Sequence, residues 1–539
     1  MNRRDFLQLA VLGAAQVMLP IPARAETTPR PSIVSLRVRS FKLEEATIAE
    51  LQAAMQSGKE SAVSLAKNYL GRIEDLDRRG PALRAVIEIN PDALAIARAL
   101  DRERKTRGSR GPLHGIPVLI KDNIDTHDRM MTTAGSLALL GSIAPQDSFV
   151  AKRLREAGAV ILGKTNLSEW ANFRGDRSSS GWSGRGGQTK NPYVLDRNPS
   201  GSSSGSAVAV SANLCVVAVG TETDGSIISP SAMGGLVGVK PTVGLVSRSG
   251  IIPISHTQDT AGPMARSVRD AATLLTALAG SDSNDSATGE ADGRRRDYTR
   301  FLDPKGLRGA RLGVARKFMG AHPRVDSLFE QALAEMKRQG AELIDPADLP
   351  THGQYSEAEF QVLVYEFKAG LNAYLAGLGP SAPVRSIRDL IEFNEKHRDQ
   401  ELPYFGQDIL VTAESKGPLT DKTYLDARAL NLRRTREEGI DAVLTKHRVD
   451  AIVAPTSGPA WLTDWVNTDS GGADATGPAA IAGYPHITVP MGLVHGLPVG
   501  LSFFAGQWSE PVLFRLAYAF EQATKARRAP KFLPTVQFS

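Results

Sequence analysis

The period of apolar and polar positions changes along the chain, and the changes mark its elements. Ile48, Leu51 and Met55 recur at helical spacing behind Thr47-x-x-Glu50, which has the form of a capping box, so a helix is expected there. Leu65, Tyr69, Ile73 and Leu76 continue the pattern in a second helix that ends before Arg79-Gly80-Pro81. Together they predict a helical N-terminal layer over about residues 40–80. Beyond it the texture switches to short, nearly all-apolar runs: GIPVLI (115–120), AVILG (159–163) and LCVVAVG (214–220). Runs of this kind, bounded by Gly or polar turns, suit strands covered on both faces. Between the first two, QDSFVAKRLREAG places Phe149, Val150 and Leu154 on one helical face and stops at Gly158. Helices therefore alternate with strands, and the expected fold class is α/β.

Residues 281–298 are polar, contain Gly and read as a surface loop. From about 324 to 445 the pattern is mainly helical. Strand-like runs return at DAIVAP (450–455), HITVPMG (486–492) and PVGLSFFAG (498–506), followed by a helix over about Glu510–Arg527. Strands without flanking helices need an existing sheet to join. The expectation is one α/β domain over residues 26–539, with a helix-rich insertion at about 324–445.

The first 25 residues follow a different rule. MNRRDFLQLAVLGAAQVMLPIPARA has Arg3 and Arg4, an apolar stretch from Phe6 to about Leu19, and the small-x-small tripeptide Ala23-Arg24-Ala25. This layout predicts a cleavable export signal of the twin-arginine type, a mature chain starting near Glu26, and a periplasmic or secreted bacterial location. Three arginines and one aspartate leave with it, so the formal charge falls from +6 to +4. Arg294-Arg295-Arg296 and Arg433-Arg434 are scattered and lack interleaved aromatics, which predicts solvated faces and no nucleic-acid partner. No 18-residue apolar run follows the signal, so stable membrane insertion is not expected after cleavage. With 539 residues, 42% of them hydrophobic, the chain can bury a large core. Its single cysteine, Cys215, excludes an intramolecular disulfide framework and reads as strand packing within NLCVVAV.

Three stretches carry candidate chemistry. NPSGSSSGSAVAV (198–210) is a flexible turn feeding a helix that starts near Ser204, where unpaired backbone N–H groups would collect. Such a loop can cradle a phosphate or a developing oxyanion. The phosphate reading is disfavoured because Ser206 and Ala207, rather than Lys and Ser/Thr, follow Gly205. In GTETDGSIISPSAMGGLVGVKPT (220–242), a strand from Leu214 to Gly220 runs into a tight turn at Asp224-Gly225 and presents Ser226 beyond the strand end. In GIPVLIKDNID (115–125), Lys121 ends an apolar strand, where partial desolvation lowers an ammonium's pKa. A serine nucleophile needs a base, and none of the nine histidines has an obvious partner. A lysine acting through a second serine is the alternative solution. Taken singly, Ser226 reads as a turn residue, Lys121 as a surface lysine and Ser202 as a loop or cap residue.

Together, Lys121, SGSSSGSA and TDGSI resemble the amidase signature family. PLHGIPVLIKDN, GAVILGKTNLSEWA, GLVGVKPTVGLVS, QDTAGPMARSV and GYPHITVPMG extend the resemblance, in family order, over nearly the whole mature chain. The resemblance implies a large mixed β-sheet covered by helices on both faces, and catalysis without metal or cofactor. It implies Ser226 as nucleophile, Ser202 as bridging serine after a cis Gly201–Ser202 bond, and Lys121 as base. The backbone N–H groups of Thr223, Asp224, Gly225 and Ser226 are implied as the oxyanion hole. Ser200-Gly201 and Asp224-Gly225 stand where the family pattern has paired glycines; a positive φ at 224 would strain an aspartate. SEWANFRG and SGWSGRGGQTKNPY are similar to the peptide-amidase branch, which removes the C-terminal amide from peptides. The expected partner is therefore a small-molecule or peptide amide, with Trp170, Trp182 and Tyr193 as groove candidates that read equally as core. The competing expectations are a broad-specificity or fatty-acid amide hydrolase, a member of the amidotransferase type that amidates tRNA-bound substrates, and a non-catalytic amide-binding protein.

Overall fold

The Thr47 hydroxyl accepts from the Glu50 N–H while the Glu50 carboxylate accepts from the Thr47 N–H, so the capping box opens helix α1, Ile48–Gln56. Ser61 opens α2, Ala62–Ile73, which runs on through a widened turn to Arg78. These helices bury Leu51, Leu65, Tyr69 and Leu76, the face that the sequence pattern marks. The computed structural model describes residues 38–379, 382–470, 472 and 474–538, so the expected export signal lies outside the described residues. The remaining longer helices are α3 (Ala93–Arg107), α4 (Phe149–Glu156), α5 (Ser204–Ser211), α6 (Val268–Leu278), α7 (Pro323–Arg338), α8 (Ser356–Gly377), α9 (Ile387–Lys396), α10 (Lys422–Leu432) and α11 (Glu510–Thr524).

The strands are β1 (Val86–Ile89), β2 (Pro117–Lys121), β3 (Val160–Thr165), β4 (Trp182–Ser183), β5 (Gly187–Gln188), β6 (Val217–Glu222), β7 (Val237–Lys240), β8 (Thr260–Ala265), β9 (Arg311–Val314), β10 (Glu342–Ile344), β11 (Ala451–Pro455), β12 (His486–Val494) and β13 (Leu497–Phe504). Strands β4 and β5 form a separate ribbon. The others make one 11-stranded mixed sheet in the order β1-β3-β2-β6-β8-β7-β12-β13-β11-β9-β10. Every residue of β2, β3, β6, β7, β8, β11 and β13 is buried. Successive strand residues point to opposite faces, so both faces of the sheet are covered, as the unbroken apolar runs require. Parallel pairing of β2 with β6, with Ile120 opposite Val219, brings the C-terminal ends of both strands to one edge. That register places Lys121 beside Thr221.

Four local expectations shift. Strand β6 begins at Val217 rather than Leu214, and β7 and β8 arise where no long apolar run stands. Residues 281–298 carry short helical turns at Ser286–Glu290 and Ala291–Arg294 that bury Thr288 and Ala291. Helix α7 joins the parallel pair β9 and β10, and its Val325, Phe329 and Met336 enter the main core. The helix-rich segment with its own core therefore starts after Ile344. There Val362, Phe367 and Leu371 of α8 pack with Ile387, Leu410 and Tyr424.

Candidate active site

Strand β2 ends in a lysine that water does not reach. Lys121 is 0% exposed, and its Nζ lies 2.7 Å from Ser202 Oγ, 2.9 Å from Thr221 Oγ1 and 3.3 Å from the Thr221 carbonyl. Burial pulls its pKa down from 10.5 to about 7, while the Asp259 and Glu222 carboxylates pull it back up. The contact set suits a neutral amine: two N–H groups meet the two oxygens of Thr221, and the lone pair is left for the Ser202 proton. Asn123 donates its Nδ2–H to Thr221 Oγ1 at 3.0 Å and fixes that hydroxyl in turn.

Ser202 sits in the turn before α5, after a cis peptide from Gly201. A Cβ at Gly201 would stand 2.2 Å from Ser168 Oγ, so only glycine fits this close approach. The Ser202 carbonyl accepts from the Ser168 N–H at 3.1 Å, and the Ser203 N–H donates to the Ser226 carbonyl at 3.1 Å. The serine loop and the Ser226 turn are thus tied main chain to main chain. The Ser203 hydroxyl also donates to the Thr221 carbonyl at 3.0 Å. Ser226 is 8% exposed. Among the described residues no hydrogen bond joins its hydroxyl to that of Ser202; such contacts commonly close only around substrate.

The turn holding Thr223, Asp224, Gly225 and Ser226 is anchored by the Glu222 carboxylate, which accepts from the N–H groups of Ile227 and Ile228 at 2.7 and 2.9 Å. Its positive φ, +70°, falls on Gly225, so Asp224 carries no left-handed strain. Asp259 accepts from the Thr223 hydroxyl at 2.6 Å and from the N–H groups of Ile254 and Ser255, and so braces the same turn from the next loop.

A cavity of about 500 Å³ opens beside this turn. Gly201, Asp224 and Gly225 line it, facing Tyr355 and Glu359 from the start of α8 and Trp461 from the loop after β11. The groove candidates from the sequence lie elsewhere. Trp170 packs in the core of the helix-rich segment, Trp182 stacks beneath the Arg174 guanidinium, and Tyr193 fills a small cluster with Val194 and Met233. All three are at least 96% buried and none lines the cavity. Sequence similarity places the stretch that holds them without telling which face each ring takes. Sequence reasoning also passes over Thr221, Asn123, Tyr355, Glu359 and Trp461. None of them leaves a signal of its own; Thr221, two residues beyond Val219 on β6, comes beside Lys121 only through the β2–β6 register.

The family model for amidases matches residues 64–514 of this chain. A probable amidase of Arabidopsis thaliana is 44% identical over 505 residues, covering 92% of this chain and 93% of its own. Among solved structures, native peptide amidase from Stenotrophomonas maltophilia is 55% identical, with a TM-score of 0.87 over 91% of this chain and 99% of that one. A peptide amidase bound to the competitive inhibitor chymostatin superposes with a TM-score of 0.88, also at 55% identity, covering 91% of this chain and all of that one.

Proposed function

The chain belongs to the amidase family, and from that premise we propose that it hydrolyses the C-terminal carboxamide of peptide amides to peptide acid and ammonia. The observation that carries this reading is the 2.7 Å approach of a fully buried lysine nitrogen to Ser202 Oγ, in a loop bonded directly to the Ser226 main chain. Neutral Lys121 takes the Ser202 proton as Ser202 takes the proton of Ser226. The Ser226 oxygen then attacks the amide carbon, and the N–H groups of Thr223, Asp224, Gly225 and Ser226 hold the oxyanion. Collapse breaks the C–N bond. The relayed proton returns through Ser202 to the departing nitrogen, releasing ammonia and leaving an acyl ester on Ser226. Water, deprotonated by the same relay, attacks that ester and frees the carboxylic acid. The likeness to peptide amidases at 55% identity supports a peptide amide as substrate.

The test is an ammonia-release assay over peptide amides, free amino-acid amides and long-chain acyl amides. Peptide amides turn over fastest, and Ser226→Ala loses at least about 10⁴-fold while its circular dichroism is unchanged. Preference for long-chain acyl amides, or full activity in Ser226→Ala, refutes the reading. The Arg3-Arg4 signal supports export as well. Protein recovered from the periplasm or medium begins near Glu26, and exported protein still beginning at Met1 would refute that part.

A further inference from the structure

The cavity beside Ser226 is lined by three carboxyls: Asp224 in the nucleophile turn, Glu359 in the first turn of α8, and Asp474 in the loop after β11. Among the described residues no lysine or arginine lines it. The one basic side chain there, His352, is made less basic by burial. Gln258 donates to Oε1 of Glu359 at 3.0 Å, and Thr476 donates its N–H and its hydroxyl to Oδ1 of Asp474. Oδ1 of Asp224 is shielded from water and has no hydrogen-bond partner, so the carboxylate is under-satisfied and a positive charge nearby is favoured.

We propose that this wall is a cation subsite, which receives a positively charged group that the amide substrate carries close to its scissile carboxamide. The proposal rests on the amide-hydrolysing reading and names the substrate class within it. Burial and the neighbouring Glu359 and Asp474 charges hold the Asp224 carboxyl far above its ordinary range, and burial brings Glu359 up to about 7. Their mutual repulsion raises the Asp224 and Glu359 carboxyls, which favours a proton held on this pair in the absence of a cation. An arriving ammonium or guanidinium displaces that proton and pairs with the carboxylates. Tyr355, Phe318 and Trp461 line the same cavity and offer aromatic faces to a methylene stem and its charged head.

The experiment compares kcat/KM for three amides matched in size: Nα-acetyl-arginine amide, Nα-acetyl-norleucine amide and norleucine amide with its amino group free. One cationic amide exceeds the neutral one by about tenfold or more. Preference for the arginine amide places the side-chain cation in the subsite; preference for free norleucine amide places the α-ammonium there. Glu359→Gln and Asp474→Asn each lower kcat/KM for the preferred cationic amide at least about fivefold more than for the neutral one. Equal rates for charged and neutral amides, or equal losses in the variants, overturn the proposal while leaving the hydrolase reading intact. Should no amide turn over, the hydrolase reading falls, and isothermal calorimetry with agmatine decides the subsite alone. Binding that weakens in Glu359→Gln and releases a proton supports it, and absence of binding overturns it.

Discussion

At the scale of single residues, Lys121 is where chemistry and stability oppose each other. The proposed relay needs the amine neutral, and burial favours that state by drawing the pKa to about 7. We therefore expect kcat/KM to rise tenfold per pH unit below about 7 and to level off above it. A pH–rate profile flat from 5 to 9 would contradict this. The same shift weakens the fold. Between about 7 and 10.5 the unfolded chain holds a proton at this lysine that the folded chain has lost, so stability increases with pH across that window. At or below pH 7 the full penalty applies. Lys121→Met is therefore expected to be inactive yet more stable at pH 7, by about 2 kcal/mol once its lost hydrogen bonds are counted, with the gain gone near pH 10.5. Urea midpoints at the two pH values check it. The approach of Lys121 to the Ser202 loop and of that loop to the Ser226 turn was legible in the sequence because each residue ends or follows a recognisable element at a spacing shared with a known family. Thr221 was not, because it matters only once the β2–β6 register sets it beside the lysine. Trp170, Trp182 and Tyr193 were misplaced as groove candidates because large aromatics suit a core as well as a pocket.

At the scale of elements, the serine loop depends on how tightly α5 can approach the strands beneath it. Gly205, in the first turn of α5, stands where a Cβ would lie 2.3 Å from the Ala85 carbonyl and 2.5 Å from the Asn166 carbonyl. These are backbone atoms flanking β1 and β3 and cannot swing aside. Gly205→Ala is expected to push the helix off its seat, costing about 2–4 kcal/mol and most of the activity, because Ser202 moves with it. A denaturation midpoint within error of wild type would show that the seat is softer than this. The elements themselves were largely readable. Capping residues fixed the start of α1, and unbroken apolar runs marked β2, β3 and β6. Strands β7 and β8 escaped because VGVK is short and TAGPMA carries both Gly and Pro, so neither shows a run; their partners across the sheet stabilise them. Helix α7 was read as part of an insertion because periodicity reports a buried face without saying which core buries it.

At the scale of the whole molecule, the two cores divide the work. The proposed relay stands on the sheet: Lys121 ends β2, Thr221 lies within β6, and Ser202 precedes the helix packed on both. The cavity's far wall comes from the helix-rich segment, whose own core of Val362, Phe367 and Leu371 holds Tyr355 and Glu359 at the head of α8. Changes on the sheet side should then strike the transition state, and changes on α8 should strike substrate binding first. Tyr355→Ala removes a ring that is 7% exposed at the cavity wall and that, among the described residues, shares no hydrogen bond with Lys121, Ser202 or Ser226. It is expected to raise KM for a peptide amide by about tenfold, with a smaller change in kcat. Ser226→Ala is expected to keep the wild-type dissociation constant for the same amide, measured by calorimetry, while losing turnover. If instead Tyr355→Ala lowered kcat with KM unchanged, α8 would have to position the reacting carbonyl itself, and the division between a catalytic sheet and a recognising helical segment would not hold.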